Sequence, residues 1–198
     1  HEALLGIQSR MRVIYGSSQD TTVSSGPAIA ENPIWRRLRP RLASWRNPAF
    51  YDANTVLHST CWPDSGVGKE LASSCAQLIH LHWIGRAGLS IEEVGRLPQP
   101  LVWTLHDQWA FLGSEHYVAL PPVLDRRFVH GYLKSNRPAY ERGPDLNRKT
   151  WERKKKFWNQ PITIVCPSRW LAAEARSSSL MADPCHSLSY RWQPLVTC

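Results

Sequence analysis

From about residue 71 onward the chain alternates between short apolar runs and segments of helical spacing. The stretch Leu71 to Ser74 reads as the end of a short helix, and Ala76 to Trp83 as a strand. Leu89 to Leu97 predicts a helix. Ser90 caps it, Glu92 and Glu93 occupy the first turn, where the helix dipole favours anions, and Pro98 stops it. Pro100 to Leu105 is the next strand. A long loop rich in Gly and Pro follows, from His106 to about Asp145, and then a basic helix from Leu146 to Asn159. Ile162 to Val165 is a buried strand, and Ser168 caps a helix that runs to about Ser177.

Strands alternating with helices in this way build βαβ units and a parallel sheet. The expected class is therefore α/β, a Rossmann-like parallel sheet with flanking helices. In open sheets of this kind the working groups sit in loops beyond the strand C-termini. His82 ends one strand, His106 and Asp107 end the next, and Pro167 and Ser168 follow the third, so these three loops are expected to line one crevice.

The two ends of the chain are less regular. His1 to Gly6 reads as the last turns of a helix, Arg10 to Tyr15 as a short strand, and Gly16 to Gly26 as a Ser/Thr/Gly-rich loop. Between Asn32 and Arg46, the residues Ile34, Leu38, Leu42 and Trp45 fall three or four apart. That is a helical stripe with a cationic opposite face, which Pro40 would interrupt or kink. Residues 182–198 have no clear period and read as an irregular tail, although a further strand belongs there if the alternation continues.

Composition narrows the picture. The 198 residues suit one domain, and 42% hydrophobic with 20% charged residues is ordinary for a protein with a sizeable core. The formal charge of +8 favours anionic partners, such as phosphorylated sugars, a membrane face or nucleic acid. Five cysteines without a CxxC pair argue against a disulfide framework or a thiolate zinc site, which leaves a reducing cytoplasm as the default. No run of 18 apolar residues and no signal peptide is visible. Ten tryptophans suit core packing for the most part, and a carbohydrate- or lipid-facing surface as the alternative.

Several residues carry candidate chemistry. His80 and His82 share one strand face, a spacing found in metal sites, and His106 from a neighbouring strand would be a third ligand. Further ligands are not evident, so a hydrogen-bonded histidine packed in the sheet is the favoured reading. His106 at its strand end is the better candidate, able to donate to or accept from a sugar hydroxyl near neutral pH. Asp107, directly adjacent, cannot easily bond its neighbour's ring, so no Ser-His-Asp relay follows from this pair. Glu115, His116 and Tyr117 add a carboxylate, an imidazole and a phenol in the next loop. With Trp103 and Trp109 nearby they suit a polyhydroxylated ligand, or else satisfy their own backbone. Ser168 and Arg169 open a helix after a strand, a ready anion site. No glycine-rich phosphate loop accompanies them. The basic run Arg153 to Lys156 and the segment Arg36 to Arg46 read as solvated faces, since no nucleic-acid-binding pattern goes with them.

Taken together, the segments Ile79-His-Leu-His-Trp-Ile84, Leu89 to Pro98, and Pro100-Leu-Val-Trp-Thr-Leu-His-Asp-Gln-Trp-Ala-Phe111 resemble bacterial family-4 glycosyltransferases of the exopolysaccharide and colanic-acid type. Ile164-Val-Cys-Pro-Ser-Arg-Trp-Leu-Ala172 and Arg176 to Leu180 continue the likeness in the same order. Glu115 to Tyr117, Asn136 to Pro138 and Asp145 to Asn147 resemble one branch of that group. The resemblance spans about residues 1–181. It implies a GT-B fold, in which an N-terminal domain mostly holds the acceptor and a C-terminal domain binds the nucleotide-sugar. Such enzymes generally retain anomeric configuration and need no bound metal or other cofactor.

The family's Thr-x-His-Asp histidine, near the reacting sugar, maps onto His106, and its Pro-Ser-x-Trp-Leu motif onto Pro167 to Leu171. The family's glycine-rich turn and its Glu-x7-Glu donor motif are not found. The expectation is an acceptor-side domain over 1–181, incomplete at its N-terminus, with an out-of-frame tail and no donor domain. The implied partners are a nucleotide-sugar donor and a saccharide or lipid-linked acceptor. Peripheral contact with an anionic membrane is also expected, at its cytoplasmic face, with no specific nucleic acid. The alternative is a non-catalytic basic module that binds anionic glycan, a membrane surface or nucleic acid.

Overall fold

The computed structural model describes residues 8–13, 23–25, 34, 38, 41–42, 56–85, 88–118, 125–182 and 190–191. Their centre is a parallel sheet in the order β3–β4–β5–β6, made of Ile79–Leu81, Leu101–Thr104, Ile162–Val165 and the two-residue Tyr190–Arg191. In register, Ile79 faces Leu101, Leu101 faces Ile162, and Ile164 faces Tyr190. Two further strands, β1 (Met11–Val13) and β2 (Val23–Ser25), pair in parallel as a separate ribbon. The helices are α1 (Val67–Ala72), α2 (Ile91–Gly95), α3 (Arg127–His130), α4 (Leu146–Phe157) and α5 (Arg169–Ser177). The architecture is α/β, a small parallel sheet flanked by helices.

Period-two alternation sets the two faces of the sheet apart. Ile79, Leu81, Leu101, Trp103, Leu105, Ile162 and Ile164 are buried, whereas Val102, Thr104, Thr163 and Val165 are only half-buried and His80 is exposed. On the buried side, α2 meets α4. Trp158 donates its indole N–H to Ile91 O at 3.0 Å, and Gln160 reaches Val94 O. A Cβ on Gly95 would fall 2.2 Å from Phe157 O, so only glycine lets these helix ends touch.

Helix α2 forms because Ser90 and Glu93 complete a capping box, each accepting from the other's backbone N–H. The Glu93 carboxylate also accepts from the backbone of Ser65, Gly66 and Gly68 at the start of α1, so one side chain caps two helices.

Several expectations change here. The segment 16–26, read as loop, contains β2, and the tail, read as irregular, contributes β6. Without β6, β5 would be an edge strand, and its unpaired backbone groups are ones that even two extended residues can satisfy. Helices α2 and α4 are shorter than expected, and the loop 106–145 contains α3 and a 3-10 turn at Lys134–Asn136. Ile34, Leu38, Arg41 and Leu42 are helical, as their spacing predicts, but Ile34 and Leu38 are exposed rather than core. Trp45 and the helix expected at residues 1–6 lie outside the described residues.

The basic run in α4 is a solvated face only in part. Arg153 turns inward to Glu92 and to the Thr60 and Cys61 carbonyls, and Lys154 is fully buried, while Lys155 and Lys156 remain outside. Among the described residues no helix is long and apolar enough to cross a membrane.

Candidate functional site

The ends of β3, β4 and β5 stand side by side. Leu105 N donates to Val165 O at 2.9 Å, extending the β4–β5 ladder by one residue. The chain then delivers His106 and Asp107 beside His82 and Trp83 on one side and Cys166 to Ser168 on the other. Ser168 spends its hydroxyl on the Leu171 N–H as the cap of α5, and Arg169 is exposed in its first turn. The β3 and β4 loops meet at one end of the sheet, whereas the β5 loop follows the neighbouring strand without lining the surface indentation they form.

Three imidazoles line the exposed edge there. His80 Nε2 bonds Thr104 Oγ1 at 2.8 Å, and His82 Nδ1 shares a hydrogen bond with His106 Nε2 at 2.9 Å. The His80 and His82 rings lie 4.5 Å apart. Desolvation pulls both pKa values below the ordinary histidine range. The charge of His106 lowers both further, and His80 acts on His82 in the same way. The pair His82–His106 accommodates one proton between its facing nitrogens, since two N–H groups would collide. None of the three is a packed sheet histidine: all are exposed. Among the described residues no group of three or more His, Cys, Asp or Glu is arranged to hold a metal.

Asp107 turns away from His106. Its Oδ1 accepts from Trp109 N at 3.0 Å. Its Oδ2 accepts from Trp83 Nε1 at 2.8 Å and from His116 Nδ1 at 2.5 Å. His116 Nε2 in turn meets Ser59 Oγ at 2.8 Å. This Asp–His–Ser connectivity is that of a hydrolase relay. Ser59 is only 3% exposed and lies outside the surface indentation, so no substrate bond reaches its hydroxyl. The chain instead fixes Asp107 and, through it, Trp83. Sequence spacing pairs Asp107 with its neighbour, but the partner lies nine residues on, brought back when the loop folds against residues 57–59.

That indentation is lined by Trp83, Gly85, His106, Asp107, His116 and the edges of Trp103 and Trp109, and has room for about one water-sized molecule. Trp103 and Trp109 belong mainly to the core. Each is buried, and with Trp158 they form a cluster with ring centroids 5.3 to 6.2 Å apart. Tyr117 is exposed beyond His116.

Glu115 is also interior, 3% exposed, and belongs to a second polar group behind the cleft. There Arg127 donates to Asp125, Glu115 and Glu141, and Tyr132 donates to Glu115. Burial pushes the Glu115 carboxyl up to about 7 against the attraction of Arg127, with Glu141 and Asp125 adding to the rise. Burial opposes the charge on Arg127, but hydrogen bonds to Asp125 and Glu141 hold its pKa above the ordinary value.

Lys154 is the counterpart residue. Its ammonium is 0% exposed and lies 3.7 Å from the Trp109 ring centroid. It donates to the carbonyls of Trp109, Leu112 and Gly113. Burial pulls it down to about 7, resisted by Cys61, Glu115 and Asp107. Neither Lys154 nor Arg127 stands out in the sequence. The one signal is that Lys154 lies on the same helical stripe as Thr150, Trp151 and Trp158, all buried.

No family profile, curated protein or solved structure matches the chain.

Proposed function

We propose that this domain is the acceptor-facing half of a retaining GT-B glycosyltransferase, with His106 at the reacting sugar. The observation that carries the reading is the position of His106. It ends a parallel strand, it is exposed beside an indentation at the C-terminal edge of the sheet, and its Nε2 is tied to His82. Open α/β sheets hold their ligands at that edge. With Nε2 bonded to His82, the ring keeps Nδ1 to donate to or accept from a sugar hydroxyl, according to its tautomer. The order of motifs from Ile79 to Leu180 supports the same reading.

On this reading Asp107, His116 and Trp109 are positioning residues rather than ligand contacts, and Glu115 acts from the interior. His82 shares the sugar-facing edge with His106. Ser168 and Arg169 stand at the neighbouring strand end, where a donor phosphate would approach. The donor is a nucleotide-sugar and the acceptor a saccharide or lipid-linked saccharide, with the basic surface set against an anionic membrane.

The test is to express the longest product of the gene and assay a panel of nucleotide-sugars for transfer and donor hydrolysis, with His106→Ala alongside. The expected result is turnover of one donor, reduced about 100-fold or more in the variant. Undiminished activity in His106→Ala would remove this residue from the mechanism.

A further inference from the structure

Trp83 is 41% exposed, yet its ring is fixed from several sides. Its indole N–H is committed to Asp107 Oδ2 at 2.8 Å, and Asp107 is itself held by His116 and the Trp109 N–H. The indole lies 5.6 Å from the His116 ring, tilted by 39°. Beneath it is Gly85, where a Cβ would come within 2.7 Å of Trp83 Cζ2 and 2.9 Å of His116 Cε1. A surface tryptophan left to itself samples several rotamers. Holding one still while leaving it open to solvent preorganises an apolar platform.

The neighbours of the platform say what would lie on it. His106 lines the same indentation, and His82 is bonded to His106 through Nδ1. That bond leaves His82 Nε2 and His106 Nδ1 as the ring nitrogens available to a ligand. Among the described residues the indentation is lined by the Asp107 carboxylate and by no Lys or Arg, a lining that favours a neutral ligand over an anion. A ligand with one apolar face and a rim of neutral hydroxyls matches the arrangement, and a pyranose ring has that form.

We propose that Trp83 is the stacking platform of a saccharide subsite, with the C–H face of a neutral pyranose on the indole and its hydroxyls bonded to His82 Nε2 and His106 Nδ1. The inference deepens the sugar-transfer reading and rests on it for the arrival of a saccharide at this edge. It makes Trp83 a residue that selects acceptors by the stereochemistry of the ring face they present. An axial hydroxyl on the stacking face would lift the sugar off the indole.

The experiment uses the 198-residue chain, labelled with nitrogen-15 at tryptophan, titrated with the methyl glycosides of glucose, galactose and mannose. Trp83→Phe identifies the Trp83 indole signal by its loss. The expected result is a saturable shift of that signal with at least one glycoside, and unequal affinities among the three. Trp83→Ala is expected to weaken binding about tenfold and Trp83→Phe about threefold. Tyr140→Ala, at an exposed aromatic residue away from the indentation, leaves binding unchanged. No shift with any of the three, or equal binding by Trp83→Ala, overturns the platform.

The two readings fail differently. Glycoside binding at Trp83 with no nucleotide-sugar turnover by the longest product would keep the platform and remove the transferase. Turnover with an unchanged acceptor KM in Trp83→Ala would do the reverse.

Discussion

The loop from Leu105 to Val118 has two sides, and they handle polar groups in opposite ways. Behind it, Arg127, Glu115, Glu141 and Lys154 are buried and engaged by two or more partners each. In front of it, His80, His82 and His106 are exposed and make one hydrogen bond apiece. A buried charge without partners costs several kcal/mol, so the rear groups persist only as a complete set and thereby specify one loop conformation. The front groups keep spare donors and acceptors that water fills and a ligand can take over. The rear holds the shape, and the front is left to recognise.

If that division holds, the largest effect belongs to Arg127. Arg127→Met leaves Glu115 and Glu141 buried without their shared cation, at a cost of about 3–5 kcal/mol. Urea denaturation measures it, and a cost under about 1 kcal/mol would show that the cluster tolerates an unpaired carboxylate. His82→Ala is expected to stay within about 0.5 kcal/mol in the same assay.

The intermediate effect is on pH dependence. Glu115 holds its proton more tightly folded, at about 7, than at its ordinary 4.5. The native state therefore carries the extra proton between those values, and stability falls as pH rises from about 4.5 to about 7. Lys154 holds its proton less tightly folded, at about 7 against 10.5, so stability rises as pH climbs from about 7 to about 10.5. The two together place a minimum of stability near pH 7. Glu115→Gln is expected to flatten the acid limb and Lys154→Met the alkaline limb, each by on the order of 1–3 kcal/mol. Thermal or chemical denaturation across the pH range, compared between wild type and variant, reads both. Limbs that persist unchanged in the variants would assign the minimum to other groups.

The smallest effect belongs to the front edge. Proton NMR of the imidazoles should place the His80 and His82 midpoints below the ordinary histidine value, because both are partly desolvated and repelled by His106. His106→Ala is expected to move both midpoints upward. A downward movement would mean that His106 stabilises their charged forms instead.

The strand ends were legible in the sequence because period-two burial and turn residues are local signals. Leu101, Trp103 and Leu105 alternate with Val102, Thr104 and His106, and that alternation alone puts His106 on the open face. Ser90 and Glu93 announce their own helix for the same reason. What the sequence did not carry is long-range pairing. Lys154 sits within a run of four basic residues, and nothing local separates the one that turns into the core from Lys155 beside it. Asp107 is adjacent to a histidine but bonds another, and Glu115 reads as a loop carboxylate until Arg127 closes over it. Tryptophan count gave no division either: Trp103, Trp109 and Trp158 pack inside, and Trp83 stays out, by virtue of which sheet face and which end they occupy.

The Glu93 carboxylate, shared between the starts of α1 and α2, has a consequence for how this half of the domain opens. Neither helix has the turns to persist alone, and each draws on the Glu93 carboxylate, α1 through the Gly66 and Gly68 N–H groups and α2 through the N–H of its capping Ser90. Fraying of one withdraws the acceptor geometry of the other, so the two are expected to exchange their amide hydrogens as a single cooperative unit, protected together and released together. Residues 65–68 and 90–93, far apart in the chain, are thus coupled through one side chain.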